Sequence, residues 1–142
     1  MGKIEDILAS GKNQNEILKA VADWFVLDFG NIHFAAIYTK QDEKFILVAA
    51  GVDNPPSLSE FPGDDSIYGE ATKGQRIIID DVKSKPGADI FFSKSVSTLT
   101  MPIMKENDMK GIIHVSSMFI SAFKQTDLIF FSRCILKIAE IL

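Results

Sequence analysis

Apolar residues at Ile17, Leu18, Val21, Phe25 and Phe29 recur every three or four positions, the spacing that lines one face of an α-helix. Asn13 followed by Glu16 resembles a capping box, and Gly30 offers a left-handed stop, so the pattern predicts an amphipathic helix of about four turns. Ile4, Ile7 and Leu8 predict a short extra helix before it, ending at Gly11. The period then changes. His33–Thr39 and Phe45–Ala50 are dense in apolar residues and flank the polar stretch Lys40–Lys44, which predicts two strands joined as a hairpin. Across residues 51–66, Pro55, Pro56 and Pro62 stand beside Gly51, Gly63, Asp64 and Asp65, the composition of irregular surface chain.

Ile67–Lys73 fits two helical turns stopped by Gly74, and Arg76–Ile79 is a compact β-branched run that predicts a third strand. Asp80–Ser95 is polar and turn-rich, yet it carries Phe91 and Phe92 side by side with no period of its own. Aromatic residues in such a loop are expected to cover something. Ser97–Met104 and Gly111–Ser117 predict two strands across a Lys105–Lys110 turn, and Thr126 is the expected cap of a final helix reaching Leu142. This order implies an α+β fold with a central antiparallel sheet of five or six strands, N- and C-terminal helices on one face and loops over the other. One domain spanning residues 1–142 is expected, because the length suits one core and no repeat or low-complexity segment divides it.

Composition narrows the possible partners. Hydrophobic residues make up 46% of the chain and charged residues 24%, which is ordinary for a chain that folds alone. The net charge is −4 and no run of Lys or Arg forms a basic stripe, so nucleic acid is not an expected partner. The apolar run Leu128–Cys134 contains Arg133 and falls far short of the ~20 residues that span a bilayer, so no membrane is expected either. Acids at Glu5 and Asp6 do not suit a signal peptide, and Gly2 lacks the Ser or Thr of a myristoylation site, which together imply a cytoplasmic location. Cys134 is the single cysteine and cannot form an intrachain disulfide; its simplest role is that of a small buried hydrophobe.

In the second half of the chain, several pieces together resemble the GAF family of sensor domains. Ser66-Ile67-Tyr68-Gly69-Glu70-Ala71, Gly74-Gln75 and Ile77-Ile78-Ile79-Asp80-Asp81-Val82 are similar to that family's helix, turn and third strand. Met101-Pro102-Ile103 and Gly111-Ile112-Ile113 resemble its Pro-bearing strand and the Gly-led strand after it, and Phe123 before Thr126-Asp127-Leu128 resembles its closing element. Local chemistry fits the same pieces. Gly111 suits a close backbone approach, Pro102 needs an edge or irregularity, and Phe123 can staple the entry to the last helix.

The resemblance implies a GAF/PAS-like fold with a small ligand held between one sheet face and the loops over it. In the last hairpin, Leu99, Met101, Ile103, Ile113 and Val115 share one face, whereas Thr98, Thr100, His114 and Ser116 share the other. The polar set matches the parity that faces the chromophore in the phytochrome branch, so these four, with Tyr68, Phe91 and Phe92 as covers, are the candidate ligand-binding residues of a partly enclosed cavity. A solvated sheet face is the alternative reading.

Several chemistries of the family find no support in the residues. A bilin thiol would have to lie in the loop region, and Cys134 does not. No cyclic-nucleotide signature can be placed, although cyclic-nucleotide binding stays open. The free methionine sulfoxide reductases use a nucleophilic and a resolving cysteine, for which one cysteine does not suffice. His33 and His114 have no metal-ligand spacing, the glycines form no phosphate loop, Ser116-Ser117 is not a nucleophile elbow, and Asp64-Asp65 and Asp80-Asp81 read as turn and cap residues. The chain is therefore expected not to be an enzyme, with no metal and no assignable cofactor. A small-molecule sensor acting in signal transduction through its helices, with an effector protein downstream, is one reading; a ligand-free dimerisation or docking module is another, and an enzyme of unknown type is the remaining alternative. Under either of the first two readings a homodimer formed through the helices is expected. Apolar residues of the last helix spread over about 260° of arc, more than one sheet face covers. Phe130, Cys134 and Ile141 are the candidate interface residues.

Overall fold

The computed structural model describes residues 2–52, 54–61 and 66–142. The expected turn residues Pro62, Gly63, Asp64 and Asp65 lie outside them. Helix α1 (Gly2–Leu8) leads into α2 (Gln14–Asp28), whose first turn is closed by the expected capping box. Asn13 Oδ1 accepts from the Glu16 amide at 2.9 Å, and Glu16 Oε1 accepts from the Asn13 amide at 3.2 Å. Gly30 does not stop α2. The helix ends because Phe29 turns extended, with φ −113° and ψ 108°, and its ring joins those of Trp24 and Phe25.

Strands β1 (Phe34–Gln41) and β2 (Lys44–Ala50) form a hairpin with Asp42 in the left-handed region at φ 59°. After an irregular excursion, a 3-10 helix at Gly69–Lys73 replaces the expected α-helical turns, and Gly74 ends it at φ 94°. Strand β3 is only Ile77–Ile79, followed by a second 3-10 helix at Val82–Ser84. Strands β4 (Ser97–Lys105) and β5 (Asp108–Ser117) make the long hairpin, and α3 (Gln125–Ala139) closes the fold. Thr126 is not its cap. Lys124 holds that position, and its amide donates to Asp127 Oδ2 at 2.8 Å. Phe123 and Leu128 are both buried in the helix-side core, as a staple across that helix entry requires.

The sheet is antiparallel throughout, in the order β2-β1-β5-β4-β3. β4 and β5 pair Leu99 with Val115, Thr100 with His114 and Met101 with Ile113. Side chains alternate across a sheet, so this register sends Leu99, Met101, Ile113 and Val115 into a core shared with α1, α2 and α3. The intervening residues face the excursion and form a second core with Ala36, Tyr38, Phe61, Tyr68, Phe91 and Phe92. Pro102 lies beyond the end of β3, where β4 has no strand on that side, so its missing amide breaks no ladder there.

Gly111 lies at a close backbone approach between β5 and β1. A Cβ at this position would stand 2.3 Å from the Tyr38 carbonyl oxygen on β1. Gly111→Ala is expected to lower the unfolding free energy by about 1–3 kcal/mol through this overpacking. Gly30→Ala, which meets nothing within 4 Å, should stay within about 0.5 kcal/mol of the parent. Urea unfolding of both variants checks the contrast.

Candidate functional site

The residues of interest come from two kinds of segment. β4 and β5 carry Thr98, Thr100, His114 and Ser116 on the face away from the long helices, and each is fully buried. The excursion supplies Tyr68, just ahead of the first 3-10 helix, together with Phe91 and Phe92 from a stretch with no regular structure. All seven side chains meet in one place. Phe91 lies over the His114 ring at 4.3 Å with an interplanar angle of 31°, Phe92 flanks it at 6.1 Å, and Tyr68 presents its edge at 5.2 Å.

These rings occupy the space over the strands, so the expected partly enclosed cavity is closed. The reason is local: the row that contains His114 has Ala36 beside it on β1, and that small side chain leaves room for the Phe91 ring. The solvated-face alternative does not hold either, since the polar residues are covered. An open cleft of about 570 Å³ lies elsewhere, between the β4 edge and α3, bordered by Arg76, Pro102, Met104 and Leu136.

Beneath the rings the polar groups are almost all paired. The Tyr68 hydroxyl makes a short hydrogen bond to the Ala88 carbonyl oxygen and lies 3.2 Å from Thr98 Oγ1. Burial pushes the Tyr68 phenol up to about 12, opposed by the Thr98 hydrogen bond and assisted by the Asp89 charge. Ser95 Oγ donates to Ser116 Oγ at 2.8 Å, and the Tyr38 hydroxyl donates to the Leu58 carbonyl at 2.8 Å. Burial raises the Tyr38 phenol as well.

His114 is the exception. Its Nδ1 lies 2.7 Å from Thr100 Oγ1, whereas its Nε2 is buried with no hydrogen-bond partner among the described residues. Desolvation lowers its pKa to about 3, so the ring is neutral at ordinary pH. Tyr38 and Ser95 were not picked out by sequence. The alternation of β1 could have identified Tyr38, on the same face as Ala36; Ser95 stands in aperiodic chain, where no pattern signals it.

The residues expected at a partner surface are distributed differently. Cys134 is fully buried on the helix side of the sheet, where burial pushes its thiol up to about 11 and the N-terminal charge partly opposes the shift. Phe130 packs against Trp24 and Phe29 of its own chain, with ring centroids at 5.9 and 5.4 Å, and Ile141 is half-buried against the same core. This corrects the placement of Cys134, which lies inside the chain's own core; Phe130 is half-buried, with α2 covering the side that meets Trp24 and Phe29. The large apolar side chains that α3 leaves exposed are Ile129 and Leu136. His33 sits apart from His114, accepting at Nδ1 from the Met118 amide at 3.0 Å. No helix is long and apolar enough to cross a membrane among the described residues.

No protein-family model and no curated protein sequence matches the chain. Solved structures do. The free methionine-R-sulfoxide reductase of Neisseria meningitidis, determined with its substrate, superposes with a TM-score of 0.85 at 18% identity, covering 99% of this chain and 84% of that one. The corresponding Staphylococcus aureus enzyme in its reduced form gives 0.85 at 15% identity, covering 99% and 91%. The GAF domain of an Acinetobacter phosphoenolpyruvate-protein phosphotransferase gives 0.82 at 14%, covering 97% and 86%. Likeness at such identity establishes a GAF-like α+β fold and nothing finer. It also corrects the expectation that the chain is not an enzyme, since reductases are built on this same architecture.

The buried imidazole has a consequence for stability. In the unfolded chain His114 binds a proton near its ordinary value of 6.5, whereas the folded protein resists protonation down to about 3. Stability contributed by the neutral ring is present above 6.5 and is lost progressively as pH falls toward 3. Between those limits the His114→Gln variant should shed a slope approaching about 1.4 kcal/mol per pH unit relative to the parent. Denaturant unfolding of both proteins at several pH values between 7 and 4 measures the difference; parallel profiles would contradict it.

Proposed function

We propose that this chain, built on a GAF-like fold, is a small-molecule-binding regulatory domain that acts in signal transduction through its helices. Its ligand would rest on Thr98, Thr100, His114 and Ser116 beneath Tyr68, Phe91 and Phe92. The observation that carries this reading is the unpartnered Nε2 of His114. An unsatisfied buried polar atom costs roughly 1–3 kcal/mol, and a floor built for stability alone would favour an apolar residue at that position. A bound molecule that supplies the missing partner recovers that cost. Phe91 belongs to an irregular segment, which suits a cover that moves aside.

Native mass spectrometry of protein purified from cells, compared with its denatured mass, tests the reading. The expected result is a retained small molecule that His114→Leu protein lacks. Free methionine-R-sulfoxide, bound by the neighbouring reductases, is the first defined compound to add back, with both binding and turnover followed. Apo protein in every preparation and no added compound bound would favour the alternative of a ligand-free docking module, to which the Phe91 ring already filling the site lends support.

A helical output is best served by a homodimer, which supplies a helix pair whose crossing a ligand can alter. Ile129 and Leu136 stand seven residues apart, on one face of α3, with relative exposures of 59% and 65%. Sedimentation at tens of micromolar protein is expected to give a dimer, and Ile129→Glu combined with Leu136→Glu a monomer. A monomeric parent ends this part of the proposal.

A further inference from the structure

The hydrogen-bond network over the sheet indicates what kind of molecule the site would accept. Tyr68 gives its proton to the Ala88 carbonyl, so the Thr98 hydroxyl donates to Tyr68 Oη. The Thr100 hydroxyl has one partner in reach among the described residues, Nδ1 of His114 at 2.7 Å. If Nδ1 carried the imidazole proton, both the Thr100 hydrogen and the Nε2 lone pair would be left unpaired. If Thr100 donates to Nδ1, a single unsatisfied group remains, an N–H at Nε2. Burial penalises each orphaned group, so the network assigns the Nε2–H tautomer.

The site thus offers a buried donor that lacks an acceptor. Its surroundings set the remaining requirements. The Phe91 ring lies 4.3 Å from the imidazole, tilted by 31°, Phe92 is stacked at 6.1 Å, and Tyr68 and Phe91 meet edge to face at 5.3 Å. Flat groups fit between such faces. Among the described residues the buried side chains of this face include no charged group, its polar members being hydroxyls and one imidazole; the exposed Asp89 carboxylate acts on the face through Tyr68. A carboxylate or phosphate placed there would lose its hydration with no opposite charge in return, and would be repelled by Asp89.

Resting on the reading of this face as a ligand site, we infer that its ligand is a neutral, planar ring compound of one or two fused rings. It displaces the Phe91 ring from beside His114 and lies edge-on to the imidazole, presenting a carbonyl or ring-nitrogen acceptor to Nε2–H in the plane of that ring. Zwitterionic amino acids and cyclic nucleotides do not meet these conditions.

Three probes of graded chemistry test the inference on the whole chain: coumarin, which is flat, neutral and carries a carbonyl; naphthalene, of similar shape without an acceptor; and free methionine-R-sulfoxide, a zwitterion. Imidazole nitrogen NMR of the unliganded protein should report the Nε2–H tautomer for His114. Coumarin is expected to shift that resonance and to bind about tenfold more tightly than naphthalene, the difference one hydrogen bond makes. His114→Phe should erase the preference. Should that variant fail to fold, Thr100→Val, which frees Nδ1 and with it the tautomer, should reduce the preference instead.

Equal binding of coumarin and naphthalene, or an Nδ1–H tautomer, overturns the inference. Methionine-R-sulfoxide as the sole binder, shifting residues of this face, overturns the ligand class while leaving the site reading intact. If no probe perturbs any resonance on the face, both fall.

Discussion

The register between β4 and β5 is the constraint on which the rest of this structure depends. Pairing Thr100 with His114 and Leu99 with Val115 commits each strand to two different environments, because a one-residue slip would exchange the faces. The aliphatic face is covered by α1, α2 and α3, and the polar face by the excursion between β2 and β4. Gly111 keeps β5 close enough to β1 for both cores to close, since any side chain there would meet the Tyr38 carbonyl. The central strands are therefore buried on both sides, as is unusual for an antiparallel sheet with a polar row.

That polar row is costly to bury, and the structure meets most of the cost with short internal pairs. Ser95 pairs with Ser116, Tyr68 with Thr98 and Ala88, and Thr100 with His114. Among the described residues one buried side-chain atom, Nε2 of His114, is left over. The same low-dielectric surroundings that hold this ring neutral make its unpaired group expensive. In the proposed reading, stability and ligand recognition converge on this one side chain, and the aromatic rings above it are what a ligand would have to move.

On the opposite face, the helices share their apolar surface more fully within the chain than the breadth of α3's apolar arc suggests. Trp24, Phe25 and Phe29 of the α2 end form a continuous aromatic cluster with Phe130 and Phe131 of α3. Structures with this GAF-like fold include both a reductase and the GAF domain of a phosphotransferase, so the architecture alone does not choose a function. The choice rests on what the polar face holds.

Much of the fold was legible in the residues because the signals are local. The Asn13–Glu16 capping box lies within one helical turn, and the alternation of Leu99, Met101, Ile113 and Val115 against Thr98, Thr100, His114 and Ser116 follows from strand geometry alone. The errors were at positions where tertiary contacts overrode a local preference. Gly30 was available as a stop, yet the Phe29 ring had a better place among its aromatic neighbours; Thr126 was a good capping residue, yet burying Phe123 and Leu128 accompanied a helix start at Lys124. The sequence by itself determined which residues share a face, because alternation is a property of the extended backbone. Only the tertiary structure decided that Phe91 closes the polar face and that Trp24 and Phe29 cover Phe130. Those contacts join segments far apart in the chain, one of them without any period, and packing alone selects where such segments settle.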